Sequence, residues 1–230
     1  NYSITYKVCD NATPQTCETS TVSITVQGNT TTSADDDFTA HKVEHPTTYT
    51  FVSDNGTPVN VLSNDKLADR TGLDTNVVTI TQTATSDPKV TIDTATGKVK
   101  VDANTPAGEY TVKYKFTEKG QTTASDEKEV KVVVTNKVVS NDALYAGKPS
   151  TNTTPRPVGD VLDNVRINGS STAPQPDDLT ITVVTPARGT IVPSLITTGA
   201  NAGKIVVPKG TPVDTYTIVY KVCDKATGEA

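Results

Sequence analysis

One eight-residue stretch is written three times in this chain, and it leaves few folds open. It runs Tyr2-Ser-Ile-Thr-Tyr-Lys-Val-Cys9, then Tyr110-Thr-Val-Lys-Tyr-Lys-Phe-Thr117, then Tyr216-Thr-Ile-Val-Tyr-Lys-Val-Cys223. The leading tyrosines lie 108 and 106 residues apart, so the repeating unit is a small domain and not a short solenoid turn. Within each copy the large apolar groups fall at i, i+2, i+4 and i+6, as in Tyr216, Ile218, Tyr220 and Val222. That period of two belongs to a strand with one face in a core and the other in water.

A period near 107 in a chain of 230 residues predicts two domain-sized units and a divided remainder. Residues 1–27 read as the C-terminal strand pair of an incomplete repeat, 28–135 as a complete repeat, and 136–230 as a repeat lacking its last strand. With no Met in the sequence, the chain reads as a piece of a longer tandem array. In the complete repeat, strands are expected near 48–52, 59–62, 77–81, 89–92, 98–101, 110–116 and 130–134, separated by Gly, Pro, Asn and Asp turn signals. The second unit echoes the layout: Val161-Leu162 follows Val61-Leu62, and Thr211-Pro212 follows Thr105-Pro106. Short strands at close spacing without helical periodicity predict an all-β chain of tandem immunoglobulin-like β-sandwiches, with a barrel as the alternative.

A net charge of −5 and a pI near 5.0 argue against binding to a phosphate backbone. No apolar run is long enough to insert directly into a membrane as a helix. His41 and His45, the two histidines, lack the glutamate placement of a zincin. No G-x-S-x-G elbow is present, so the expectation is that the chain is not an enzyme and has no catalytic residues.

Val22 aligns with Val130, and the same offset maps Cys9 to Thr117 and Cys17 to Ser125. Both cysteines are thus replaced together in the next repeat, as a disulfide would require. Strand parity puts both on the outward face, where facing residues have the spacing of a bridge. A Cys9–Cys17 bridge would add about 2–3 kcal/mol and imply an oxidising compartment; two free thiols are the alternative. Cys223 is expected to lack a partner, because the matching position would be 231.

Asp35, Asp36 and Asp37 follow the first linker, and Asn64 and Asp65 close a later segment. Oxygen ligands gathered at a domain junction would suit a structural Ca²⁺, whereas turn-forming, solvated carboxylates are the plain alternative.

The run from Val59-Asn-Val-Leu-Ser-Asn-Asp65 through Thr105-Pro-Ala-Gly-Glu-Tyr-Thr-Val-Lys-Tyr114 resembles the Ig-like repeats of giant Bacteroidetes surface proteins, the SprB-like gliding-motility adhesins among them. So does the ending Tyr-Lys-Val-Cys … Cys-Glu-Thr-Ser-Thr-Val-Ser-Ile-Thr-Val of the first segment. The resemblance implies export to the bacterial cell surface, through the type IX route, and a stalk or adhesin role. It also implies that Thr94, in Asp93-Thr94-Ala95, fits the Asp-Thr-apolar acceptor used there for O-glycosylation; an unmodified turn is the alternative. The expected partners are neighbouring repeats of the same chain, a second copy docked head-to-tail on an open strand edge, and surface polysaccharide. A carbohydrate-binding or spacer module of a secreted multidomain protein is the competing reading, as is a cadherin- or fibronectin-like ectodomain.

Overall fold

The computed structural model describes residues 1–145, 156–225 and 228. Its first element is a hairpin. Strand β1 (Tyr2–Cys9) pairs antiparallel with β2 (Cys17–Ile24), with Ile4 facing Val22 and Cys9 facing Cys17. Both strands owe their form to alternating β-branched and aromatic residues.

The middle unit follows. Its strands are β3 (Thr31–Thr32), β4 (Asp36–Asp37), β5 (Val43–Glu44), β6 (Thr50–Phe51), β7 (Ser53–Asp54) and β8 (Thr57–Pro58). They continue with β9 (Lys66–Leu67), β10 (Val78–Thr85), β11 (Val90–Asp93), β12 (Lys98–Val101), β13 (Gly108–Glu118) and β14 (Lys128–Thr135). One sheet is ordered β10-β13-β14-β4, with β5 also against β14; the other is β11-β12-β6. Strands β4 and β5, early in the unit, run parallel to its last, β14, and all other pairings are antiparallel. The two sheets enclose one core, in which Val112, Tyr114, Phe116, Val130, Val132 and Val134 are fully buried. This is an Ig-like β-sandwich.

The second unit contains β15 (Val138–Ser140), β16 (Arg156–Asp160), β17 (Val165–Ile167), β18 (Leu179–Thr185), β19 (Ser194–Leu195), β20 (Lys204–Val207) and β21 (Val219–Asp224). Its core is separate, built on Val161, Leu162, Val165, Ile181 and Val222. The pairings repeat those of the middle unit. In β10–β13, Ile80 faces Phe116, Gln82 faces Tyr114, and the register slips between Gln82 and Ala84. In β18–β21, Ile181 faces Val222, Val183 faces Tyr220, and the slip comes between Val183 and Thr185. The corner before the third strand copy is also shared. The Tyr110 hydroxyl donates to the Pro106 carbonyl (2.7 Å), and the Tyr216 hydroxyl to the Pro212 carbonyl (3.0 Å). Such a tyrosine corner is an immunoglobulin-fold feature.

Two expected strands take another form. Residues 59–62 do not continue as a strand: only Asn60 makes an isolated bridge, to Lys98, and the chain turns at 61–64. The Asn60 side chain accepts the Leu62 N–H (2.9 Å), drawing the backbone into that turn and driving Val61 and Leu62 into the core. The echo at Val161–Asn164 is likewise a 3-10 turn, capped by Asp160 on the Leu162 N–H. The third strand copy is shorter than expected, beginning at Val219 and not at Tyr216. In β13 the matching residues 108–111 pair only with β14, and among the described residues the second unit has no strand in that place. The linker at 28–33 is also less free than its composition suggests, since β3 pairs with β9 and the Asn29 side chain donates to Glu118 (2.7 Å).

Candidate functional site

Strand β4 divides the acidic run by parity. Asp36 points into the sandwich and is 4% exposed, while Asp37 points out. The turn at 61–64 delivers Asp65 to the same interior point, at 1% exposure, and β13 brings the fully buried Tyr114 beneath both. The Tyr114 hydroxyl lies 3.0 Å from Asp36 Oδ2, 3.0 Å from Asp65 Oδ2 and 2.8 Å from the Val61 carbonyl oxygen. Asp65 Oδ1 also accepts the Ala34 N–H (3.0 Å).

Burial, reinforced by the charges of Asp65 and Asp35, pushes the Asp36 carboxyl up to about 7, against the bonds to Tyr114 and Asn64 that oppose the shift. Burial also raises Asp65, although the Ala34 N–H, Tyr114 and Lys128 favour its charged form. Burial and the two carboxyls hold the Tyr114 phenol far above its ordinary value, so it stays protonated. The sequence marks Tyr114 only as a core residue. Its position in the repeated strand gives the inward direction, but nothing local to it names the two acids.

The five residues expected to hold calcium are thereby divided. Asp36 and Asp65 converge on Tyr114. Asp35 Oδ1 accepts the Glu129 N–H (3.0 Å), and the Asn64 amide donates to the Asp35 carbonyl (3.0 Å). Asp37 Oδ1 accepts the N–H and hydroxyl of Thr39, which hold its carboxyl below the usual range. Among the described residues no three His, Cys, Asp or Glu side chains are grouped to hold a metal ion.

Cys9 and Cys17 are joined, with Cα atoms 4.0 Å apart, and Cys223 is free. Thr94 is exposed at the tip of the β11–β12 hairpin, where Asp93 accepts the Ala95 N–H (3.0 Å) and the Thr96 hydroxyl (2.8 Å). His41 stands 3.7 Å from Asp54, and the His45 N–H donates to the Thr135 carbonyl (2.7 Å). Sequence reading also missed an outward aromatic pair beside β12. Tyr49 is 61% exposed and meets Phe51 edge-on at 6.1 Å, with Lys100 and Lys98 over the two rings.

No family model matches the chain, and no curated protein does. Among solved structures it is similar to human CDH23 EC21-23, at 17% identity over 95% of this chain and 68% of that one, with a TM-score of 0.38. It is similar to the extracellular domain of protocadherin GammaB4, at 14% identity over 97% of this chain and TM-score 0.37; there it spans 37% of the other chain's length. A third is a SusE-like surface-located polysaccharide-binding protein from the Bacteroides thetaiotaomicron heparin utilisation locus, at 12% identity, 82% of this chain, 32% of that chain and TM-score 0.27. Among the described residues no helix is long and apolar enough to cross a membrane.

Proposed function

We propose that the chain is a structural and adhesive repeat module of a large bacterial cell-surface protein. The observation that carries this is the repetition itself. Two sandwiches with separate cores share strand register, bulge and tyrosine corner, and β1–β2 repeats the register of β13–β14 at the 108-residue offset. A chain that spends its length on copies of one rigid unit is built for reach and for presenting a surface many times. The bacterial, gliding-adhesin type of that surface, and its export, rest on the resemblance of the repeated segments. The disulfide suits an oxidising compartment. On this reading the partners are neighbouring repeats, a second copy on the β21 edge, and surface polysaccharide. Thr94 stands where a glycosyltransferase could reach it.

Antibodies against the chain are expected to label intact, unpermeabilised cells of the source organism. Labelling that appears only after permeabilisation overturns the reading.

Tyr49 favours a second reading, a saccharide-binding face, because its exposed ring, set edge-on against the half-buried Phe51, supplies a stacking surface. Affinity electrophoresis in gels containing surface polysaccharide tests it: retardation lost in Tyr49→Ala supports the face, and equal mobility of the two proteins with and without polysaccharide rejects it.

A further inference from the structure

We propose that Asn168 locks the second sandwich to the middle one, closing a rigid joint over the two linker residues Asn136 and Lys137. The linker is short. Strand β14 ends at Thr135, still paired there with Glu44 of β5, and β15 begins at Val138, paired with Ile167 of β17. Two extended residues reach about 7 Å at most, so the freedom of the joint lies in the torsions of Asn136 and Lys137. Left untied, a boundary of this kind lets the two domains move against each other.

Asn168 takes hold of both residues. It stands in the turn after β17 with φ 53°, ahead of Gly169 at φ 71°, and the Ser170 N–H donates to the Ile167 carbonyl across that turn (3.0 Å). Asparagine and glycine are the residues that such left-handed positions favour. The turn aims Asn168 at the linker. Its backbone N–H donates to the Lys137 carbonyl (2.8 Å), its side-chain oxygen accepts the Lys137 N–H (2.8 Å), and its side-chain amide donates to Asn136 Oδ1 (2.7 Å). Both main-chain groups of Lys137 are thus bonded to the second unit. Its side chain reaches back to the middle unit, with Nζ 2.8 Å from Glu44 Oε2. An exposed ion pair adds little stability and is weakened by salt, so the joint depends chiefly on Asn168.

The preceding junction has the same plan with another lock. Asn29 stands two residues ahead of β3, as Asn136 stands two ahead of β15. The N–H of Ala68, at φ 51°, donates to the Thr30 carbonyl (2.7 Å), as the Asn168 N–H donates to that of Lys137. Alanine has no polar side chain with which to hold Asn29. Glu118 holds it instead, accepting the Asn29 N–H (3.1 Å) and the Asn29 side-chain amide (2.7 Å). Two different side chains therefore restrain the same linker position. The joint governs orientation and not folding, since the two cores share no residue, and it is independent of what the outer faces bind.

The test is residual dipolar coupling on the full chain, which gives one alignment tensor for the middle unit and one for the second. In the wild type the two are expected to agree in magnitude and axes, as for a single rigid body. Asn168→Gly keeps the left-handed backbone and its N–H but removes both side-chain bonds. The common alignment should then be lost, with amide shifts in β18 and β21 unchanged as the sign that the second unit is folded. Lys137→Ala should have a smaller effect. Asn55→Gly, the same exchange at φ 48° in the β7–β8 turn, should have none. Unequal tensors in the wild type overturn the proposal, and this holds even if Asn168→Gly fails to fold; equal tensors in a folded Asn168→Gly overturn it as well. Millimolar calcium should change neither tensor. A wild type whose tensors agree only with calcium present would assign the joint to the cation and overturn the lock.

Discussion

A left-handed glycine occupies the same place in both units. Gly97 has φ 75°, and a Cβ there would lie 2.4 Å from Asn60 Oδ1; Gly203 has φ 94°, and its Cβ would lie 2.5 Å from Asp160 Oδ1. In each case that oxygen caps the turn that plugs the core, so the clash would strike the cap as well as the backbone. Gly97→Ala should lower stability by about 1–3 kcal/mol, backbone strain and displaced cap together. Gly120→Ala, with φ 83° and open space around it, should pay the strain alone and cost less. Thermal melting of the two variants compares them; an equal loss would mean that Asn60 moves aside freely. The sequence shows Thr96-Gly97 as a turn but not its contact with Asn60, which lies a whole hairpin away. It likewise shows three consecutive aspartates as one cluster. Only the pleat, which turns Asp36 inward and Asp37 outward, gives them different chemistry.

At the scale of elements, the hairpin β1–β2 and the pair β13–β14 are one motif in two settings. Tyr2 faces Ile24 as Tyr110 faces Val132, and Ile4 faces Val22 as Val112 faces Val130. In the sandwich, Val112, Tyr114 and Phe116 are fully buried; their counterparts Ile4, Tyr6 and Val8 are 57%, 46% and 61% exposed. A two-stranded hairpin by itself is marginal in water, and the Cys9–Cys17 link closes this one. Thiol counting should find one free thiol in the unreduced chain and all three of its cysteines after reduction in denaturant. Cys9→Ser with Cys17→Ser should remove amide protection in β1 and β2 while leaving β13 unchanged; protected hairpin amides in that variant would show that the strands hold without the bridge. Strand type and pairing were legible here because alternation and the repeat spacing are local signals. The turns at 61–64 and 161–164 were not, since their apolar residues mimic a strand until the Asn60 and Asp160 side chains claim the backbone.

For the whole molecule, separate cores predict separate failure. Phe116→Ala, at a fully buried site, should cost the middle unit about 3–5 kcal/mol while amides of β18 and β21 keep their protection. Loss of protection in both units together would mean one cooperative body. The repeat period, charge and composition were enough to foresee two sandwiches. What they could not convey is that, after the short β3, the chain enters the larger sheet on β4 and β5 and leaves the unit on β14, with those strands side by side and parallel. Tension applied to the two ends of this unit would load those ladders in shear. The bonds at Val130, Lys131, Val134 and Thr135 would share the load instead of opening one at a time, as they would if the strands were peeled apart. Asp36 lies within that clamp. A tandem array built this way would resist drag within each such unit.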